Sequence, residues 1–328
     1  MKNLRYFSPS SFALYERDRE EFYLHYLTEN PPPRLSQTLP MSVGSAFDAR
    51  IKCYLYNELF GNEGPNNEFN CEKIFEAQVE PQCRDFAGPA GEYIFEQYKK
   101  CGALADFMQD LEMCCSDPRL EFKVENRVAH ETNQSGIVLL GKPDFYYRNK
   151  ANCPVIRDWK VNGFCSNSFT SPAPQYVKLR PGNTIHKNCM PMMVDGLIIN
   201  VGATLEQINT DWAQQLAIYG WVLGEPVGSG FIVGIDQIVA GKNTGDNKPL
   251  IRVATHNYKI GADFQHDLFK RLSEAWEIVH SNHYFRDMTL KQSQERCGML
   301  DMQYKAFADI ESDNKKWYCE IMRQHRNY

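Results

Sequence analysis

No stretch of the 328-residue chain approaches the ~18 consecutive apolar residues that a membrane-spanning helix needs. The opening MKNLRYFSPSSFALY has no long apolar core and no cleavage-like site, so no secretory signal is expected. The 11 cysteines are odd in number and irregularly spaced. They form no C-x-x-C, although Cys114 and Cys115 are adjacent. This argues against a disulfide framework and for reduced thiols in a cytoplasmic protein. No Cys/His spacing suits zinc. Gly-x-x-x-x-Gly-Lys-Ser/Thr is missing, which excludes a fused P-loop ATPase or helicase module. There is no internal repeat.

What is present is an ordinary globular composition, 43% hydrophobic and 23% charged, with enough apolar mass for a substantial core. The net charge of -5 alone argues against a surface coated for nucleic acid. Its distribution changes that inference. Residues 146–190 hold seven Lys/Arg against one acid, Asp158, and residues 58–96 hold nine acids against two bases, Lys73 and Arg84. Any polyanion would therefore meet one limited basic face, in a salt-sensitive way.

Ser8-Pro9 reads as a helix start. Phe12, Leu14, Tyr15, Phe22, Tyr23, Tyr26 and Leu27 supply the apolar side, and Asn30-Pro31-Pro32-Pro33 ends the helix. A second helix is predicted over about 42–59. Residues 71–115 read as helical, with breaks near Pro81 and Gly88-Pro89. Period-two alternation predicts strands over 120–128, 137–147 and 154–161, a small meander. Residues 162–200, rich in Pro, Gly, Ser and Asn, read as a long loop or insertion. A helix over 206–223, strands over 230–239 and 250–260, an amphipathic helix over 262–281 and a helical remainder complete an α/β or α+β order. The chain reads as a single domain. A helical part spans 1–118, a core 119–260 carries the insertion, and C-terminal helices span 261–328.

The chemistry concentrates in Gly141-Lys142-Pro143-Asp144, a 13-residue spacer, and Asp158-Trp159-Lys160. Residues two apart on a strand share a face. Asp158 and Lys160 therefore emerge together, and a hairpin brings Asp144 from the preceding strand. Two clustered carboxylates repel, which a divalent cation relieves by taking both as oxygen ligands. A lysine beside them can stabilise developing negative charge. The bland alternative is a surface hairpin carrying an Asp–Lys pair.

These residues resemble the signature of the PD-(D/E)xK nucleases, the restriction-endonuclease-like superfamily. Three further elements resemble its RecB-like exonucleases, including CRISPR-adaptation and phage recombination nucleases. They are Ser8-Pro9-Ser10-Ser11 with the aromatic run at 22–27, Gly44-Ser45-Ala46-Phe47-Asp48 in place of a Gly-x-x-x-His element, and Gln215-x-x-x-Tyr219. The four occur in the family's order over residues 8–223. The resemblance implies a restriction-endonuclease-like α/β core, a central mixed sheet flanked by helices. It implies a metal-dependent deoxyribonuclease, an exonuclease of recombination or repair, working on linear duplex or single-stranded DNA with Mg²⁺ or Mn²⁺. A repair-protein partner and an oligomer belong to the same expectation. Asp144, Asp158 and the Trp159 backbone carbonyl would bind metal, Lys160 would be the catalytic lysine, and Gln215 and Tyr219 would face the site.

Asp48 replaces the family histidine. It either serves as a hard oxygen ligand or leaves the site one ligand short. An iron–sulfur cluster is not expected, because Asp18-Arg19 stands where relatives carry a cysteine, and only Cys297 and Cys319 lie near the C-terminus. Glu125 is a further candidate for metal or arginine contact. Lys178, Arg180, His186 and Lys187 are candidates for gripping phosphates. The alternative class is a catalytically degenerate DNA-binding or scaffold subunit.

Overall fold

Ser8 caps the first helix as the sequence predicts: its Oγ accepts the Ser11 N–H at 3.2 Å, Ser11 Oγ accepts the Ser8 N–H at 2.8 Å, and Pro9 opens the helix. In this computed structural model the described residues are 3–28, 31, 36–61, 70–114, 116–120, 123–131, 133–166, 176–180, 183–186, 190–194, 197–241 and 251–281. In chain order the helices are α1 (Pro9–Arg17), α2 (Arg19–Tyr26), α3 (Leu39–Phe60), α4 (Cys71–Gln78), α5 (Arg84–Lys100), α6 (Ala103–Cys114), α7 (Leu205–Ile208), α8 (Thr210–Val222) and α9 (Ala262–His280). The strands are β1 (Ser116–Leu120), β2 (Val124–His130), β3 (Asn133–Gly141), β4 (Phe145–Arg148), β5 (Pro154–Ser166), β6 (Tyr176–Arg180), β7 (Asn183–His186), β8 (Met190–Val194), β9 (Leu197–Val201), β10 (Ile232–Gly241) and β11 (Ile251–Lys259).

Several sequence expectations are corrected here. The helix expected over residues 8–27 is two helices. Asp18 adopts an extended conformation and its carboxylate accepts the Glu21 N–H at 2.9 Å, so it caps a new helix instead of continuing the old one. Asn209 divides α7 from α8 in the same way, accepting the Trp212 N–H at 3.0 Å. Gly88-Pro89 does not break α5. Glycine before proline has no Cβ to clash with the proline ring. The expected strand over 137–147 is interrupted, because Pro143 has no N–H for a ladder, and Asp144 lies in a bend between β3 and β4. The expected strand over 120–128 falls partly in β1 and partly in β2. The expected loop over 162–200 instead contains the end of β5 and two antiparallel hairpins, β6–β7 and β8–β9. Its Pro, Gly and Asn masked short apolar runs such as Leu197–Val201. The helical expectation for 282–328, with Cys297 and Cys319, lies outside the described residues.

Chain contacts divide the molecule into two units. The first comprises 1–35, 125–140 and 267–328. An aromatic cluster organises it, with Phe7 5.6 Å from Phe12, 5.7 Å from Phe22 and 6.1 Å from Trp276 between ring centroids. The Phe7 backbone bonds to Val138 and Leu140.

The second unit, 36–124 and 141–266, is a mixed α/β body. Its five-stranded sheet has the order β1-β4-β5-β10-β11, antiparallel except for the parallel β5–β10 pair. The helices α3 and α8 pack on β5, and α5 packs on α3 and β11. The α3–α5 approach is close: a Cβ on Gly91 would stand 2.6 Å from Ala46 Cβ and 2.9 Å from the Phe47 nitrogen. Phe107 meets Phe145 and Trp159 edge-on in the core. Among the described residues no helix is long and apolar enough to cross a membrane.

Candidate active site

The second unit holds a cleft of about 670 Å³ between α3, the β3–β4 bend, β5, β10 and α8. Three carboxylates, Asp48, Asp144 and Asp158, and three lysines, Lys52, Lys142 and Lys160, line it together with Gln215, Gln237 and Trp212. Their formal charges cancel.

Strand alternation sends Asp158 and Lys160 to the cleft face of β5, as the sequence predicts, and Lys160 Nζ stands 2.7 Å from Asp158 Oδ2. That contact is a charge pair without hydrogen-bond alignment, and the oxygen is fully buried. Asp144 reaches the same place from the bend, where its Oδ2 accepts the backbone N–H of Trp159 at 3.3 Å. Asp158 has its carboxyl pKa raised to about 7. Burial is the main cause, countered by Lys160 and reinforced by the negative charges of Asp144 and Asp48. Clustering of carboxylates is thus a contributor, and desolvation is the larger effect.

From α8, Gln215 Oε1 accepts from Lys160 Nζ at 2.6 Å, and Gln215 Nε2 donates to the Tyr219 hydroxyl at 3.0 Å. Residues four apart on a helix share a face, so one turn of α8 orients the lysine. The buried Tyr219 hydroxyl has its pKa raised, first by desolvation and further by Asp144 and Asp158. It stays a neutral donor or acceptor at physiological pH. Gly141 makes room for this ring, since a Cβ there would stand 3.0 Å from Tyr219 Cδ1 and 2.6 Å from Val222 Cγ2. If the cleft is catalytic, replacing Gln215 with alanine should release Lys160 and lower turnover roughly 10-fold, within the range for a lost charge-assisted hydrogen bond. Steady-state kinetics with an unchanged melting temperature would confirm it, and unchanged turnover would refute it.

Trp159 turns its indole away from the cleft into the core, where Nε1 donates to the Tyr98 hydroxyl at 3.2 Å. Asp48, one turn before Lys52 on α3, is ion-paired with it. Glu125 belongs to the first unit and pairs with Arg5 at 3.1 Å. The backbones of Lys178, Arg180 and His186 lie in the β6–β7 hairpin, and Lys187 lies outside the described residues.

Sequence reasoning passed over Lys52, whose signal was its i,i+4 spacing from Asp48. It also passed over Lys142, the immediate neighbour of Pro143-Asp144. Gln237 had no local signal: it enters the cleft because β10 pairs in parallel with β5, setting Gln237 opposite Lys160.

Among the described residues no three His, Cys, Asp or Glu side chains form a ready metal cage. The donors present are nevertheless hard carboxylate oxygens, and the buried Asp158 Oδ2 has no aligned hydrogen bond. Both features suit a hard divalent cation such as Mg²⁺ or Mn²⁺.

No family model matches the chain. No curated protein matches it. Chains of solved structures do match, 14 of them. One is titled "Crystal structure of SSO0001", at 12% identity over 93% of this chain and 97% of that one, with a TM-score of 0.28. A superposition of that quality leaves fold family and activity to be argued from this chain's own residues.

Proposed function

We propose that the chain is a metal-dependent deoxyribonuclease with a restriction-endonuclease-like core, most simply a RecB-like exonuclease of DNA recombination or repair. The observation that carries this reading is the convergence of Asp144, Asp158 and Lys160 in one cleft, with Lys160 2.7 Å from Asp158 and held by Gln215 at 2.6 Å. Asp144 comes from a bend, Asp158 and Lys160 from β5 and Gln215 from α8, and Asp158 is buried, so a surface Asp–Lys pair does not account for them.

Asp144 and Asp158 would hold the divalent cation, with the Trp159 carbonyl as the further donor that the family resemblance implies. Such a cation, when bound, supplies Lewis-acid charge beside a phosphodiester. The chain's own contribution starts with Asp158, which must be ionised to serve as a ligand. Lys160 then leaves it and turns its ammonium to the negative charge that develops on phosphoryl oxygens. Gln215 limits the directions Lys160 can take, and Tyr219 limits those of Gln215. The cleft's formal charges balance without metal, so a bound divalent cation makes it positive and suited to a polyanion. Salt-sensitive DNA binding follows.

End-labelled duplex and single-stranded DNA, digested across a Mg²⁺ and Mn²⁺ titration, tests the reading. Degradation should require metal and stop with EDTA. Activity of Asp158→Ala or Lys160→Ala equal to wild type would remove the catalytic assignment. Closed circular DNA separates the two modes, since an exonuclease leaves it intact and an endonuclease nicks it. The second reading, an inert DNA-binding or scaffold subunit, draws on Asp48, which is paired with Lys52 in place of completing a three-carboxylate cage. It predicts DNA binding without degradation under any metal.

A further inference from the structure

The charged residues of the cleft suit a metal and a phosphodiester, but they leave its aromatic wall without a use. On α8, Trp212, Gln215 and Tyr219 follow one another at i, i+3 and i+7, so they share one face of the helix. Tyr219 bonds Gln215, Gln215 holds Lys160 at 2.6 Å, and Trp212 continues the same face about 4.5 Å further along the helix axis. The two buried tryptophans of this unit serve its core. Trp159 donates its indole N–H to Tyr98 at 3.2 Å, and Trp221 donates to Gln265 at 3.1 Å. Trp212 is placed differently: it is half-buried and lines the cleft. Its ring meets that of His256 at 5.5 Å and 61°, a T-shaped contact that engages at most one face of the indole. His256 is fully buried, and its Nε2 lies 3.1 Å from Gln237 Oε1, so this support is anchored in the sheet.

An indole cannot hold a phosphate or a hard cation, whereas every nucleobase presents a flat π face that stacks on it. From α3, Pro40 and Met41 add apolar lining, and Met41 is 60% exposed. At about 670 Å³ the cleft falls in the size range of pockets that enclose a small ligand. It admits a nucleotide or two of one strand and not a duplex. We infer that Trp212 is the stacking platform for an unpaired nucleobase, that of the nucleotide next to the phosphate facing Lys160, and that the cleft therefore takes a single DNA strand, free or frayed from a duplex end. This rests on the reading of the cleft as a DNA site and names the form of DNA that it takes. Stacking tolerates any base, so the platform selects for an unpaired strand and not for a sequence.

Fluorescence anisotropy of a short fluorescein-labelled single strand, bound to the full chain in EDTA at low salt, reads the platform apart from turnover. Trp212→Leu keeps apolar bulk against His256 and removes the π face. It should weaken single-strand binding about 10-fold, whereas Trp212→Phe should stay within about 3-fold of wild type. Strands carrying one abasic nucleotide, moved position by position, supply a readout that a merely structural role for Trp212 would not move. In wild type one position should be sensitive, at a cost of about 10-fold, and in Trp212→Leu the same position should cost nothing further. Relaxed closed circular duplex, which offers no end, should compete at least 10-fold less well per nucleotide than the single strand. Where Trp212→Leu folds poorly, as a thermal melt would reveal, Trp212→Phe and the abasic series on wild type decide the matter. Wild-type affinity in Trp212→Leu, an abasic series without a sensitive position, or equal competition by the closed duplex overturns the inference, and metal-dependent degradation then judges the nuclease reading by itself. Binding that depends on Trp212 without degradation in Mg²⁺ or Mn²⁺ keeps the platform and removes the nuclease. A wild type that neither binds single strands nor degrades DNA removes both.

Discussion

On the proposed function, Asp158→Asn should reduce DNA degradation by about three orders of magnitude or more, and above pH 7 it should stabilise the metal-free protein. The two effects share one cause. Burial and the neighbouring Asp144 and Asp48 raise the Asp158 pKa from its ordinary 3.8 to about 7. A carboxyl whose folded-state pKa lies above the unfolded one binds its proton more tightly when folded. Its contribution to stability is therefore complete below about pH 4 and is lost as pH rises towards 7. At pH 8 the folded chain holds an ionised, buried carboxylate at a disadvantage on the order of a few kcal/mol. Asparagine fills the same space without the charge and should flatten this part of the pH–stability curve. A bound divalent cation should relieve the same strain in wild type. Mg²⁺ should raise the melting temperature more at pH 8 than at pH 6, and should do so weakly or not at all in the variant. Thermal melts at these two pH values, with and without Mg²⁺, decide the matter. A variant less stable than wild type at pH 8, or an equal Mg²⁺ response in both proteins, would contradict the expectation.

The largest expected loss of stability lies on the opposite face of β5. Arg157 and Asp236, with side chains 5% and 1% exposed, are paired at 3.3 Å inside the sheet. Arg157 also donates to Asn257 at 2.7 Å and lies over the Phe107 ring at 4.7 Å. Asp236 accepts from Tyr98 and, at 2.9 Å, from Thr255. Burial and the Asp236 charge raise the Tyr98 pKa well above its ordinary value, so the phenol stays a donor. Every member has a partner, and removing one strands the others. Asp236→Leu should destabilise the protein by about 3–5 kcal/mol, because a guanidinium is left buried and unpaired. The melting temperature should fall by roughly 10 °C. The double variant Arg157→Met/Asp236→Leu should recover most of that loss, since well-packed apolar groups commonly replace a buried pair with little penalty. Denaturant unfolding of the singles and the double measures the coupling. A single variant within 1 kcal/mol of wild type would show that water reaches the pair.

The network also bears on the cleft. Arg157 and Trp159 alternate with Asp158 and Lys160 along β5, and Tyr98 holds the Trp159 indole at 3.2 Å. What fixes the core face of the strand therefore fixes its cleft face. None of this was legible from the sequence. Arg157 reads as one more basic residue of the 146–190 segment, and Asp236 as an acid inside an apolar strand. Their pairing depends on the parallel alignment of β5 with β10 across 79 residues of sequence.

Local chemistry carried further at other points. Ser8, Asp18, Asn209 and Pro143 act on their own backbone neighbourhoods, so their caps and breaks are written within three or four residues, although only the Ser8 cap was anticipated. The same locality made the common face of Asp158 and Lys160, and that of Gln215 and Tyr219, derivable from period two and period 3.6. The sequence alone thus determined which residues could do chemistry together on one element. It could not determine which elements meet. The bend that delivers Asp144, the parallel register that sets Gln237 opposite Lys160, and the burial that raises the Asp158 pKa all depend on packing between distant segments. Desolvation and charge proximity have no sequence period, and only the tertiary structure decides them.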